Sequence, residues 1–167
     1  METIEDFYSG PKKYIQLFDA FAAKHSLAGR AAPDHICYKC GSKESFEHIR
    51  AFFEDQSDYV HQTLISGRRI AYIRMKKGIE TSLGVIYFLE LSDQKPDGSQ
   101  KAGFDHIEAY PTAGSYEEMV QKLEASEKVV KVERPHHTTH DIEIGEGFLF
   151  RCTREPLIEK IKREEML

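Results

Sequence analysis

No stretch of this chain approaches the run of about 20 apolar residues that a membrane-spanning helix needs, so no membrane is expected as a partner. Cysteine is scarce. The three residues Cys37, Cys40 and Cys152 are an odd set that makes no disulfide framework, and a reducing cytoplasm is the expected home. Positive charge is outnumbered: 23 Lys and Arg against 28 Asp and Glu leave a net charge of −5. That argues against a nucleic-acid binder that works by neutralising phosphates. Residues 1–10 carry Glu2, Glu5 and Asp6 and lack a basic-then-apolar pattern, so no secretory signal is expected. What is present is soluble globular composition, 40% hydrophobic and 31% charged, which excludes disorder as the default reading. A domain of this size buries roughly 70% of the surface its unfolded chain exposes and needs no staples. The 167 residues are expected to form one domain, 1–167, or two small halves sharing a core.

Periodicity divides the chain. Tyr14, Leu17, Phe18, Phe21, Ala22 and His25 recur at three- and four-residue steps, predicting an amphipathic helix from Pro11, with Gly29 as a stop. This gives an N-terminal helical segment over 1–30. Residues 34–39 read as a strand. Phe46, Ile49, Phe52 and Phe53 then mark a second helix. Residues 59–66 and 69–74 read as strands around a Gly67-Arg68 turn, and 85–91 as a nearly continuous apolar strand broken by Glu90. The order then repeats. Residues 104–110 are a strand, and Ser115 with Glu118 is a capping-box signature ahead of Met119, Val120 and Leu123. Residues 129–132, 141–144 and 148–153 are further strands, and Pro156 opens a charged helix over 157–165. The polar stretch 92–102 reads as a linker.

Each half therefore runs strand, helix, strand, strand, strand, and Asp-His-Ile opens both, at 34–36 and 105–107. A shared tripeptide at the same point of two identical strings of elements points to an internal duplication. The expected fold is α+β. Two βαβββ modules, 31–92 and 103–155, form a curved mixed sheet with a central cleft and helices on its outer face. A C-terminal helix follows over 156–167.

Alternation assigns faces. Ile36 and Tyr38 face the helices, so His35 and Cys37 face away; Ile107 and Ala109 face the helices, so His106, Glu108 and Tyr110 face away. Glu90 lies opposite Leu89 and Leu91, with Phe88 and Ile86. By the same strict alternation Asp34 and Asp105 point away from the histidines they adjoin. Two histidines and a carboxylate converging on a concave sheet are the ligand set of a facial-triad site for Fe(II), Mn(II), Ni(II) or Zn(II). The carboxylate of Glu90 inside an apolar strand also requires an offsetting partner. The plainer alternative pairs Glu90 with Arg151 and leaves both histidines structural.

The stretches 34–40, 66–70, 88–91 with Lys95-Pro96, and 103–108, with the Leu157-Ile158-Glu159-Lys160-Ile161 run, resemble the YecM-like proteins of the vicinal-oxygen-chelate superfamily. Glyoxalase, bleomycin-resistance proteins and extradiol dioxygenases also belong to that superfamily. The resemblance covers roughly 10–165. It implies paired βαβββ modules around one divalent metal ion, with His35, Glu90 and His106 as ligands. A glyoxalase-like site has a second carboxylate on the last strand, where this chain has Phe150-Arg151-Cys152. The departure argues against an isomerase using two glutamates. It leaves a three-ligand site of dioxygenase type, with Arg151 available to an anionic substrate group or to Glu90.

The leading functional expectation is a metal-dependent enzyme acting on a small, oxygen-rich or carbonyl, anionic metabolite. Glu108 would be the general base and Arg151 the substrate-orienting residue. The alternatives are a non-catalytic sequestering protein and a structural domain with a lapsed site; a monomer and a homodimer are both compatible. Cys37 and Cys40 form a C-x-x-C spacing, but on a strand their sulfurs go to opposite faces. Small buried hydrophobes are the favoured reading over a zinc knuckle or redox pair. His136, His137 and His140 read as a solvent-facing loop, with a second metal site or a substrate contact as the sharper alternative. The run Arg68, Arg69, Arg74, Lys76 and Lys77 reads as a solvated hairpin, with an acidic-substrate rim as runner-up.

Overall fold

A computed structural model describes residues 1–135 and 137–165. The elements are α1 (Ile4–Ser9), α2 (Lys12–Lys24), β1 (Ala31–Lys39), α3 (Lys43–Phe52), β2 (Ser57–Ile65), β3 (Arg68–Thr81) and β4 (Gly84–Ser92). They continue with β5 (Gly103–Pro111), α4 (Tyr116–Glu124), β6 (Val130–Glu133), β7 (Thr138–Gly145), β8 (Phe148–Cys152) and α5 (Leu157–Glu165). The fold is α+β. All eight strands form one mixed sheet in the order β2-β3-β4-β1-β5-β8-β7-β6. β1 runs parallel to β4 and β5 parallel to β8, while β1 and β5 pair antiparallel at the centre. The order reads the same from either end, as two tandem βαβββ modules require.

One face of the sheet carries the core. Ile36, Ile73, Leu89, Leu91, Ile107, Ala109 and Phe150 are all fully buried there. The helices supply the opposing layer. Phe7 of α1 meets Phe53 edge-on, and from α2 Phe18 stacks on Phe150 and Tyr14 on Phe148. α2 follows the periodicity read from its sequence, with Pro11 as its N-cap residue. The six-residue α1 carries too little period to be seen in the sequence. A reciprocal capping box between Thr3 and Asp6 secures it. Ser115 Oγ accepts from the Glu118 backbone N–H and starts α4.

Three local departures have physical causes. The β2–β3 turn is Ser66-Gly67 rather than Gly67-Arg68. Both turn residues have positive φ, 52° and 79°, which matches the twist of a two-residue hairpin. β3 extends to Thr81, beyond the expected 69–74, because it resumes pairing with β4 at Ile79 after an irregularity that follows Arg74. Ile86 lies in the core cluster and so leaves the face of Phe88 and Glu90. The 92–102 connection has no regular structure, yet it is pinned. Gln100 is buried and donates to the carbonyls of Cys40 and Asp93, and Gln94 donates to that of Gly41.

The C-terminal helix does not join the outer layer. The backbone N–H of Leu157 donates to Asp34 Oδ2, and Glu165 pairs with His61. His61 stands opposite Tyr72 across the β2–β3 ladder. α5 therefore crosses the cleft face of the sheet, with Ile161 buried beneath it at 6% exposure.

Candidate metal centre

The two central strands deliver the histidines, and a bulge in each sets their surroundings. In the β1–β5 ladder Pro33 pairs with Ala109 and His35 with Glu108, so Asp34 is an extra residue without a partner. At the other end Cys37 pairs with His106 and Tyr38 with Phe104, so Asp105 is extra in the same way. A bulge sets two residues against one and breaks alternation. Each aspartate thus shares a side with its histidine, contrary to the expectation from an unbroken pleat. His35 Nδ1 donates to Asp34 Oδ2 at 2.6 Å, and His106 Nδ1 donates to Asp105 Oδ2 at 2.7 Å. A carboxylate can only accept, so both rings carry a proton on Nδ1 and direct Nε2 to the cleft. Asp34 Oδ2 also accepts from the Tyr72 hydroxyl at 3.1 Å, and Tyr72 stacks on Phe88. Asp105 is further held by Lys39 at 3.1 Å.

The structure brings His35, Glu90 and His106 together, with one potential ligand atom of each within 4.8 Å of the others. His35 is fully buried, His106 is 1% exposed, and the Glu90 side chain is 23% exposed, giving the cluster its opening. Glu108 joins them: its Oε2 lies 3.4 Å from His35 Nε2 and 3.9 Å from His106 Nε2.

The electrostatics of the two histidines diverge. Burial disfavours the His35 cation, but the carboxylates of Glu108, Asp34 and Glu90 outweigh it and hold its pKa well above the ordinary value. Burial and the adjacent Arg151 push His106 down to about 4, so it is neutral. Burial raises Glu108, reinforced by Glu90. Burial also works against ionised Glu90, but the nearby His35, reinforced by His106 and Arg151, prevails and holds it below the usual carboxylate range. Among the described residues His35 Nε2 is buried without a hydrogen-bond partner; Glu90 and Glu108 stand at ion-pair distance, 3.4 Å each. An orphaned imidazole nitrogen facing two carboxylates and a second imidazole is a donor set that fits a divalent cation. His35, Glu90 and His106 would hold the ion, with Asp34 and Asp105 fixing the rings behind it.

Arg151 is placed differently from either expectation. Its Nε and Nη2 donate to the two oxygens of Asp141 at 2.9 and 3.1 Å, and Nη1 donates to His106 Nε2 at 3.2 Å. Its ion pair is with Asp141, opposite it in the β7–β8 ladder, and not with Glu90. Asp141 gave no signal beyond strand alternation, because which residue of β7 stands opposite Arg151 depends on the register of the β7–β8 hairpin.

The remaining motifs distribute as follows. Cys37 lies on the cleft side beside Ser92, and a second set of potential ligand atoms is Cys37, Asp105 and His106. Cys40 belongs to the core, and all three cysteines are free and buried. His140 Nδ1 meets the Tyr116 hydroxyl at 2.6 Å. His137 is half-buried, and burial with Lys160 and Arg134 pushes it down to about 4. His136 lies outside the described residues. In the basic run the three arginines have local partners, and Lys76 and Lys77 are exposed. Arg68 donates to Gln100, Arg69 pairs with Asp93 at 2.8 Å, and Arg74 lies over the Tyr87 and Phe88 rings.

A family model described as "YecM protein" matches residues 4–147, most of the chain. The chain belongs to the YecM family. A solved structure described as "Structural Genomics, Protein EC4020" has a TM-score of 0.71 and 16% identity to this YecM-family chain. The match covers 92% of this chain and 88% of that one. At that identity the likeness shows a shared fold. No curated protein matches the sequence. Among the described residues no helix is long and apolar enough to cross a membrane.

Proposed function

We propose that this YecM-family protein is a metal-dependent enzyme of the vicinal-oxygen-chelate type, acting on a small oxygen-rich or carbonyl metabolite. The observation that carries the reading is the buried, unpartnered Nε2 of His35, aimed at Glu90 and Glu108 and backed by Asp34. The paired βαβββ topology and the departure from a second carboxylate at Arg151 support a three-ligand site of His35, Glu90 and His106. A bound divalent ion, Zn, Fe, Mn or Ni, supplies Lewis-acid polarisation of two adjacent substrate oxygens. The chain supplies the rest. Asp34 and Asp105 hold both rings by Nδ1–H, so each Nε2 is directed into the cleft, where an ion would displace the His35 proton and the Arg151 contact to His106. Glu108, buried and raised, is placed to take a proton from a substrate carbon or hydroxyl beside His35. Asp141 holds Arg151 in place, and burial together with Arg151 keeps His106 neutral. α5 lies across the cleft face and excludes water. The reducing cytoplasm is the compartment that suits three free cysteines.

The test is elemental analysis of protein purified without a histidine tag. Near-stoichiometric transition metal in the wild type, lost in His106→Ala, supports the reading. A wild type that neither carries nor binds added metal refutes it. A second reading draws on one specific contact. Arg151 Nη1 occupies the His106 Nε2 lone pair, and a protonated His35 balances Glu90 and Glu108. In that state the cleft is a metal-free binding pocket, and a ligand-induced rise in melting temperature without turnover is its signature.

A further inference from the structure

We propose that Arg134 seats the anionic group of the ligand, a carboxylate or phosphate, on the second-module wall of the cleft. This rests on reading the cleft as a small-molecule site and moves the anion-binding role from Arg151 to a residue without a motif of its own. Arg151 has its two-pronged edge on Asp141 and a third N–H on His106, so its capacity for a further carboxylate is largely spent.

Arg134 is the other guanidinium of the same network. It follows β6, and its backbone N–H donates to the His137 carbonyl at 3.1 Å, closing the β6–β7 connection. Its Nη1 donates to Thr139 Oγ1 at 2.8 Å, and the fully buried Thr139 donates to Asp141 Oδ1 at 3.1 Å. The chain Arg134, Thr139, Asp141, Arg151, His106 thus runs from the loop to the centre of the cleft. Arg134 is half-buried, yet among the described residues its only side-chain hydrogen-bond partner is a hydroxyl, and no carboxylate lies within ion-pair distance. Burial and Arg151 together work against its charge, while Asp141, Glu108 and Glu90 favour it from across the network. An anion at this place gives Arg134 the direct anionic partner it lacks among the described residues.

Position also restricts the ligand. Glu90 and Glu108 repel an anion from the histidine side, whereas His137 is exposed to the charges of Lys160 and Arg134 on the loop side. The ligand that fits has its negative group at Arg134 and its uncharged oxygens toward His35, Glu90 and His106.

The experiment is an NMR titration of untagged protein with acetate and with inorganic phosphate, before and after chelator treatment, with metal content measured on the same samples. Arg134→Met is expected to weaken binding of the preferred probe at least tenfold, about 1.4 kcal/mol, at unchanged metal content. The probe that binds more tightly distinguishes a carboxylate from a phosphate ligand. Wild-type affinity in Arg134→Met, or no binding of either probe to the wild type, overturns the proposal. If Arg134→Met does not fold, Arg134→Lys keeps the charge and loses the forked geometry. Weaker binding in that variant then supports the assignment, and unchanged binding overturns it. Absence of metal with Arg134-dependent anion binding intact would defeat the metal reading and leave this one standing.

Discussion

Asp105→Asn tests the bulge geometry most directly. Asp105 accepts from His106 Nδ1 at 2.7 Å and pairs with Lys39 at 3.1 Å, and its carboxyl is held below the usual range. Burial opposes that shift; the bond from His106 and the charge of Lys39 produce it. The side chain is 22% exposed, so solvent softens the loss, and the amide oxygen can still accept one bond. Replacing a charge-assisted bond by a neutral one should cost about 1–2 kcal/mol of stability. For a chain of this size that lowers the melting temperature by roughly 2–8 °C. Metal binding should suffer separately. Loss of the carboxylate behind a ligating imidazole weakens affinity by about 10–100-fold, and full stoichiometry remains within reach at saturating metal. The assay is metal titration against a competing chromophoric chelator, with urea denaturation of the same samples. A change in affinity below about threefold would refute the orienting role. A loss as complete as that of His106→Ala would show Asp105 to be a ligand itself.

Metal uptake should strengthen with pH. His35 is held protonated well above its ordinary 6.5, so an ion must displace its proton. His106, at about 4, is already neutral, and Glu90 is already ionised. Affinity should rise about tenfold per pH unit until His35 has titrated, with about one proton released, measured by calorimetry in buffers of different ionisation enthalpy. No pH dependence between 6 and 8 would rule out a protonated His35 in the free protein. Asp141→Ala should destabilise by about 3–5 kcal/mol, because Arg151 is then buried without its carboxylate; urea denaturation that finds under 1 kcal/mol would mean Arg151 swings to solvent. Ile161→Ala should cost about 2 kcal/mol and speed hydrogen exchange at the Leu157 amide, if α5 is held on the cleft by that one side chain. Unchanged exchange would place its anchoring elsewhere.

The sequence by itself determined the modules and the face of each site residue. Two equal strings of elements, each opened by Asp-His-Ile, and a period of two within each strand put His35, Glu90, His106 and Glu108 on one side of a sheet. Periodicity is local, and so it survives in the sequence. It could not reveal the bulges at Asp34 and Asp105, because a bulge exists only relative to the partner strand. Nor could it reveal that Asp141 takes Arg151, that α5 crosses the cleft instead of the outer layer, or that Arg134 meets Thr139. Those contacts join residues whose spacing carries no period, and only tertiary packing decides which charge meets which. The sheet's central antiparallel pair decided the rest: by setting β1 beside β5 it turned two separate histidines into one site.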